Sequence, residues 1–260
     1  MDSAPEPAED YPKIILFGDS LTERSFDTNN NGFGAVLQNY YARRVDVVNR
    51  DAQLPPPLLF TVFLGANDAV LPRFSQHVPL PEYEANLRYY VDTLLAHPMT
   101  KGTKIVLITP PPIDIMPLSE GELGGELDIP VVRQQLTSQD LDDPGYRTYL
   151  NKKMYAEKVM EIARSYDGSG GLVVGLDFWT AMINYGRAMG KEKGISDDDE
   201  RLPGSGLPGA VHFGREVFLD GLHLGPLGYD VLSGELLSLL TNMWPELRKE
   251  SLPLQAGSPN

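Results

Sequence analysis

The sequence contains no cysteine among its 260 residues. That excludes disulfides, thiolate nucleophiles and cysteine-based metal centres. Histidine is scarce too: His77, His97, His212 and His223 are the only candidates for an imidazole base. No apolar run approaches the roughly 18 residues that span a bilayer. Basic residues are outnumbered, 22 Lys and Arg against 36 Asp and Glu, for a net charge of −14. A field of that sign repels phosphate backbones and anionic lipid surfaces, which argues against nucleic acid as a partner and against membrane insertion. Part of the acidity is a single run, Asp197-Asp198-Asp199-Glu200, which reads as a solvated loop. Residues 1–12 are acidic and rich in Pro and Ala, the reverse of a secretory leader. The expectation is a cytoplasmic protein, with a homodimer as the assembly left open.

What is present is ample material for a core, 42% hydrophobic residues, in a length that fits one α/β domain. Short apolar runs at 13–17, 45–50, 58–64, 104–109 and 171–177 read as strands. Between them, apolar residues recur at helical spacing: Phe33, Val36, Leu37, Tyr40 and Tyr41, then Tyr83, Leu87, Tyr90, Val91, Leu94 and Leu95. A third helix is expected over 146–166 with Leu150, Met154, Val159 and Ile162 inward, and a fourth over 178–189. A fifth follows Pro226, with Leu232, Leu236, Leu240 and Met243. The alternation predicts a mostly parallel sheet with helices on both faces. The single domain is expected to span 13–245. Residues 113–145 and 191–212, rich in Gly, Pro and acids, read as loop insertions, 211–218 as a return to an ordered edge, and 1–12 and 246–260 as tails.

In such sheets ligands sit at the carboxyl ends of the strands. The Gly18-Asp19-Ser20 turn, the Gly65-Ala66-Asn67-Asp68 turn and the loop at Pro110 all fall there. Ser20 supports two readings. Its hydroxyl could be lifted off the strand end as a nucleophile, or Ser20-x-x-Glu23 could form a capping box that only closes a helix. A nucleophilic serine needs a base and a third group that orients the base. His97 precedes Pro98, and His77 and His212 read as solvent-exposed loop residues. His223 differs because Asp220 lies three residues before it, so one loop could carry both base and orienter. The same loop could equally be a helix-start turn capped by Asp220 and Pro226. The Ser20 N–H and the Asn67 amide are candidate donors to an oxyanion. Plain turn chemistry would also explain Asn67 and Asp68.

Taken in order, Gly18-Asp19-Ser20-Leu21, Gly65-x-Asn67-Asp68 and Asp220-x-x-His223 resemble three of the four blocks of the SGNH (GDSL-type) hydrolases. Leu64-Gly65-Ala66-Asn67-Asp68-Ala69, Val78-Pro79-Leu80-Pro81 and Asp220-Gly221-Leu222-His223 are most similar to the isoamyl-acetate-hydrolysing esterase branch. The resemblance implies a flavodoxin-like three-layer α/β/α sandwich. It also implies hydrolysis of small acyl esters, acetates above all, through an acyl-enzyme without cofactor or metal. Ser20 would be the nucleophile, His223 the base and Asp220 its orienter. Ser20 and Asn67 would form the oxyanion hole, and Asp19, Leu21 and Gly65 would lie at the substrate pocket.

One block departs from the family. A glycine should follow the second strand and complete the oxyanion hole, but Asp51 stands there and the helix after it is missing. If the second and third strands flank the first, the connection must cover about 10 Å sideways and about 17 Å along, roughly 20 Å in all. Residues 51–57 reach roughly 23 Å when stretched. That leaves nothing for a helix, where such crossovers take at least about 10–12 residues. One sheet face should therefore be left uncovered, exposing apolar side chains worth roughly 1.5–3 kcal/mol each when buried. The expectation is a shortened form of an esterase, whether a splice form or a gene-model error. A lost oxyanion donor would cost about 10²–10³ in turnover. The alternatives are a catalytically silent homologue that binds a ligand or partner, and a carbohydrate deacetylase of the same superfamily.

Overall fold

Five short apolar runs become the strands of one sheet: β1 (Lys13–Gly18), β2 (Asp46–Val48), β3 (Leu59–Phe63), β4 (Lys104–Ile108) and β5 (Val173–Leu176). Their order is β2-β1-β3-β4-β5 and every neighbouring pair is parallel, the flavodoxin-like arrangement. The structure, a computed structural model, describes residues 12–49, 57–115, 148–195, 201–207 and 209–254. Six α-helices lie among them: α1 (Ser20–Glu23), α2 (Phe33–Tyr40), α3 (Leu80–Ala96), α4 (Tyr149–Ser165), α5 (Phe178–Glu192) and α6 (Pro226–Met243). Their starts follow local chemistry. Prolines occupy the first turns of α3 and α6, where no N–H is needed. The Thr148 hydroxyl caps α4 by accepting from the Asn151 N–H at 3.1 Å, and the Asp177 carboxylate caps α5 through the Thr180 N–H at 3.0 Å.

Alternation along the strands divides their side chains between two layers. Ile14, Leu16, Phe63, Val106 and Ile108 pack with residues of α2, α5 and α6. Val62, Ile105, Leu107 and Val173 pack with residues of α3 and α4. The result is a three-layer sandwich.

Among the described residues, the second layer thins at the end of β1, where Ile15 is buried and Phe17, on the same face, is not. Phe17 lies in a strand paired on both sides, yet it is 39% exposed. Among the described residues, its ring meets the flank of the layer, with centroids 6.1 Å from Phe60 and 5.6 Å from Tyr90. The connection from β2 to β3, Asp51 included, lies outside the described residues. Its two ends are closer than expected, because β2 is only three residues long. Val47, Ile14 and Leu59 lie abreast. Asn49 and Pro57 are therefore separated by about 10 Å sideways and about 13 Å along, roughly 16 Å. Eight residue steps reach roughly 26 Å.

Several expectations are corrected. The segment after Pro245 is docked rather than frayed as far as Leu252: Leu247 is buried, the Tyr41 hydroxyl donates to its carbonyl at 2.8 Å, and Arg44 bonds the Leu252 carbonyl. The insertion expected at 113–145 begins later, since Ile113 and Asp114 are buried; residues 116–147 lie outside the described part. In the second insertion, Gly204 is pinned to Ile115 and to Val211 by backbone hydrogen bonds of 2.9 and 2.8 Å. Residues 211–218 form a loop rather than a strand, with Val211, Phe213, Val217 and Phe218 buried and one isolated bridge, Phe218 to Leu224. The inner face of α4 is rotated from the expected stripe. Leu150 and Met154 are 65% and 40% exposed, while Lys152, Tyr155 and Ala156 point inward with Val159 and Ile162.

Candidate active site

At the end of β1 the chain must turn hard against β3. A Cβ on Gly18 would lie 2.3 Å from the Phe63 carbonyl oxygen, so the turn requires a glycine. Asp19, not Ser20, then caps α1, its Oδ1 accepting from the Leu21 N–H at 3.0 Å. The capping-box reading of Ser20 is thereby overturned: the cap is supplied one residue earlier and the Ser20 hydroxyl is left for other work. The first helical bonds run from Thr22 and Glu23 to the Asp19 carbonyl, both 2.9 Å. The Ser20 N–H precedes them, where a helix start leaves its donors open.

The loop before α6 brings His223 to Ser20. The Ser20 hydroxyl donates to His223 Nε2 at 3.1 Å. His223 Nδ1–H donates in turn to Asp220 Oδ2 at 2.6 Å. That second bond fixes the tautomer with its proton on Nδ1, leaving Nε2 as acceptor. The two readings of Asp220 are divided between its oxygens. Oδ2 holds the imidazole, while Oδ1 accepts the N–H groups of Leu222 (3.1 Å) and His223 (2.8 Å) and shapes the loop. Burial works to raise the Asp220 carboxyl, but the His223 ring and these two N–H groups prevail and hold it at about 2. An imidazole and carboxylate so buried, with His223 10% and Asp220 15% side-chain exposure, keep their geometry away from competing water.

Asn67 lies half-buried on the turn after β3, the strand that pairs with β1 through Gly18 and Phe63. Gly65 enters this turn with φ +108°, a region that favours glycine, and its N–H donates to Asp68 Oδ2 at 3.1 Å. The carbonyls on either side of Gly65 are both held. The Tyr83 hydroxyl donates to Leu64 O at 3.0 Å, and Lys152 Nζ donates to Ala66 O.

The residues expected around a substrate separate into different roles. Leu21 is 1% exposed and packs into the core with Leu16 and Phe33, so it lines no open surface. Asp19 is a buried cap, and Gly65 contributes backbone shape. Burial pushes the Asp19 carboxyl up against the Leu21 N–H and the Lys152 ammonium, which pull it down; Asp68 beside it adds to the rise. Burial likewise raises Asp68. Among the other histidines, His77 Nδ1 contacts the Val70 carbonyl at 2.7 Å and His97 caps a short 3₁₀ turn.

His212 is not simply solvated. Its Nδ1 lies 3.3 Å from the buried Asp114, which also accepts the Phe213 and Gly214 N–H groups at 3.2 and 3.0 Å. The Asp114 N–H reaches Gly221 O at 2.9 Å, so this cluster braces the Asp220–His223 loop from behind. Sequence reading missed Asp114 and Lys152. An acid in a Gly- and Pro-rich loop and a lysine on a helix both read as surface. Among the described residues, no group of three or more His, Asp and Glu is placed to hold a metal ion, and no helix is long and apolar enough to cross a membrane.

Comparison with known proteins bears on the family and the fold. A rat protein named isoamyl acetate-hydrolyzing esterase 1 homolog is 30% identical over 267 aligned positions, covering 94% of this chain and 85% of its own. An Arabidopsis thaliana GDSL esterase/lipase is 42% identical over 125 positions, covering 40% of this chain and 50% of its own. Those 125 positions take up only about 104 of the 260 residues here, so about 21 of them are positions this chain lacks. Among solved structures, a mutant acetyl-xylooligosaccharide esterase from Geobacillus matches with TM-score 0.51 and 19% identity over 87% of this chain and 93% of its own. A GDSL-like lipase from Parabacteroides merdae matches with TM-score 0.53 and 14% identity over 91% of this chain and 100% of its own. Both likenesses concern the fold. The model of the GDSL-like lipase/acylhydrolase family matches residues 14–236, from β1 into α6. A match of that extent places the chain in this family, and the protein is a carboxylic ester hydrolase.

Proposed function

We propose that the protein is a serine esterase that hydrolyses small acyl esters, acetates among them, through an acyl-enzyme. The observation that carries this is the unbroken hydrogen-bond chain from Ser20 Oγ through His223 to Asp220. His223 Nε2 takes the hydroxyl proton as Ser20 Oγ bonds to the ester carbonyl carbon. The carbonyl oxygen becomes an oxyanion, accepted by the Ser20 N–H and the Asn67 amide. Asp220 stabilises the imidazolium formed meanwhile, and its low carboxyl range keeps it ionised throughout. His223 then returns the proton to the departing alcohol, leaving acyl-Ser20, and a water repeats the sequence to release the acid and restore the hydroxyl. The preference for acetates draws on the name of the rat relative.

The test is hydrolysis of a short-chain chromogenic ester such as p-nitrophenyl acetate. Ser20→Ala and His223→Ala are expected to lower kcat by at least about 10³-fold while the thermal midpoint stays within a few degrees. Equal rates in wild type and Ser20→Ala would refute the reading. Acetate release from an acetylated xylo-oligosaccharide with no hydrolysis of simple alkyl acetates would favour the deacetylase alternative instead.

A further inference from the structure

Lys152 is 0% exposed, on the inner face of α4 beside Tyr155 and Ala156. An ammonium taken out of water is costly unless opposite charge and hydrogen bonds replace the water. The fold supplies them at one place only a few residues wide. Lys152 Nζ donates to the carbonyl of Ala66, the residue before Asn67. From the neighbouring helix, the Tyr83 hydroxyl holds the carbonyl of Leu64, and the Tyr83 and Tyr155 rings pack at 4.9 Å. The turn that presents Asn67 is thus held on both sides of Gly65 by buried donors from two helices.

The charge of Lys152 has a second use. Asp19, which caps the helix carrying the nucleophile, keeps its Oδ2 buried without a hydrogen-bond partner among the described residues. A carboxylate there opposes the growth of negative charge on a nearby oxyanion, and an ammonium on the same side offsets it. The Lys152 charge lowers the Asp19 and Asp68 carboxyls against the burial that raises both.

We propose that Lys152 is a positioning residue for ester hydrolysis: its bond to the Ala66 carbonyl fixes the turn that carries Asn67, and its buried charge offsets Asp19 behind the oxyanion. This rests on the esterase reading above. The role differs from simple stabilisation of the fold, which would change the melting temperature and leave the transition state alone.

The absence of cysteine makes a clean test available. In the full chain, Lys152→Met keeps the length of the side chain and removes its charge. Its kcat on p-nitrophenyl acetate is expected to fall about 10²-fold, the scale of a lost oxyanion donor, with KM changed by less than about threefold. Lys152→Cys places the only thiol in the molecule at this site. Alkylating it in the unfolded chain with 2-bromoethylamine rebuilds a lysine-like ammonium, whereas 1-bromopropane rebuilds only the bulk. Wild type carried through the same unfolding and refolding is the reference, and the pair of adducts decides the matter even if Lys152→Met does not fold.

Recovery of kcat with the aminoethyl adduct and not with the propyl adduct supports the proposal. Equal recovery with both would reduce Lys152 to packing and overturn it, as would wild-type kcat in Lys152→Met. Failure of both adducts to recover, in chains that melt like wild type, would also overturn it. No turnover in the wild type removes the esterase reading and this role together, whereas an active wild type with an equally active Lys152→Met removes this role alone.

Discussion

Asp220 makes three hydrogen bonds with two oxygens, and its ionisation is tied to both the loop and the base. Its carboxyl is held at about 2 in the folded chain against an ordinary value of 3.8. The folded state therefore binds the proton more weakly than the unfolded state. The stability that follows is complete above about pH 4 and is lost as the pH falls through about 2. Melting curves between pH 5 and pH 2 should show a steeper acid loss for wild type than for Asp220→Asn; parallel curves would refute the linkage. In the same variant, kcat should fall by about 10⁴, the effect of presenting the wrong imidazole tautomer. At this scale the sequence was partly legible. Ser20, Asp220 and His223 announce themselves by spacing and by the shortage of other histidines. Lys152 does not, because a lysine on a helix is ordinarily counted as outward, and only the three-dimensional position of Ala66 explains why this one turns in. Leu21 failed in the opposite sense, a core residue that sits inside a catalytic motif.

Among the elements, the junction between β2 and β3 is the one with consequences. The strands and most helices were legible, since short apolar runs and helical patterns alternate along the chain, and the strand order followed from the family resemblance. The depth of the sheet face was not, because it depends on an element that would have to be inferred from its absence. Phe17 is exposed at the end of β1, and the roughly 21 alignment positions that this chain lacks are enough for a crossover helix and its turns. Replacing residues 50–56 with the corresponding longer segment of the rat relative should bury Phe17. A gain of roughly 1.5–3 kcal/mol corresponds to a rise of roughly 3–12 °C in thermal midpoint for a domain of this size. Phe17→Ser should cost less than about 1 kcal/mol in the present chain and clearly more in the grafted one. An equal cost in both backgrounds would show that nothing was covered.

Across the whole molecule, the C-terminal segment closes on residues far from it in the chain. Tyr41 and Arg44, just after α2, hold the carbonyls of Leu247 and Leu252, and Lys104 pairs with Glu246 at 3.0 Å. The tail was misread because Pro-rich, charged composition hides a single anchoring leucine. Leu247→Ala should cost about 2–5 kcal/mol in urea unfolding, as for other buried leucines; a loss below about 0.5 kcal/mol would return the segment to the status of a tail. The Ser20 hydroxyl and the His223 ring that it bonds stand 203 positions apart in the chain. During synthesis the hydroxyl is made first and waits for its imidazole partner while those intervening residues are added. On the esterase reading, competence waits for that second segment, and a serine-directed phosphonate would pass over chains in which it has not yet been made.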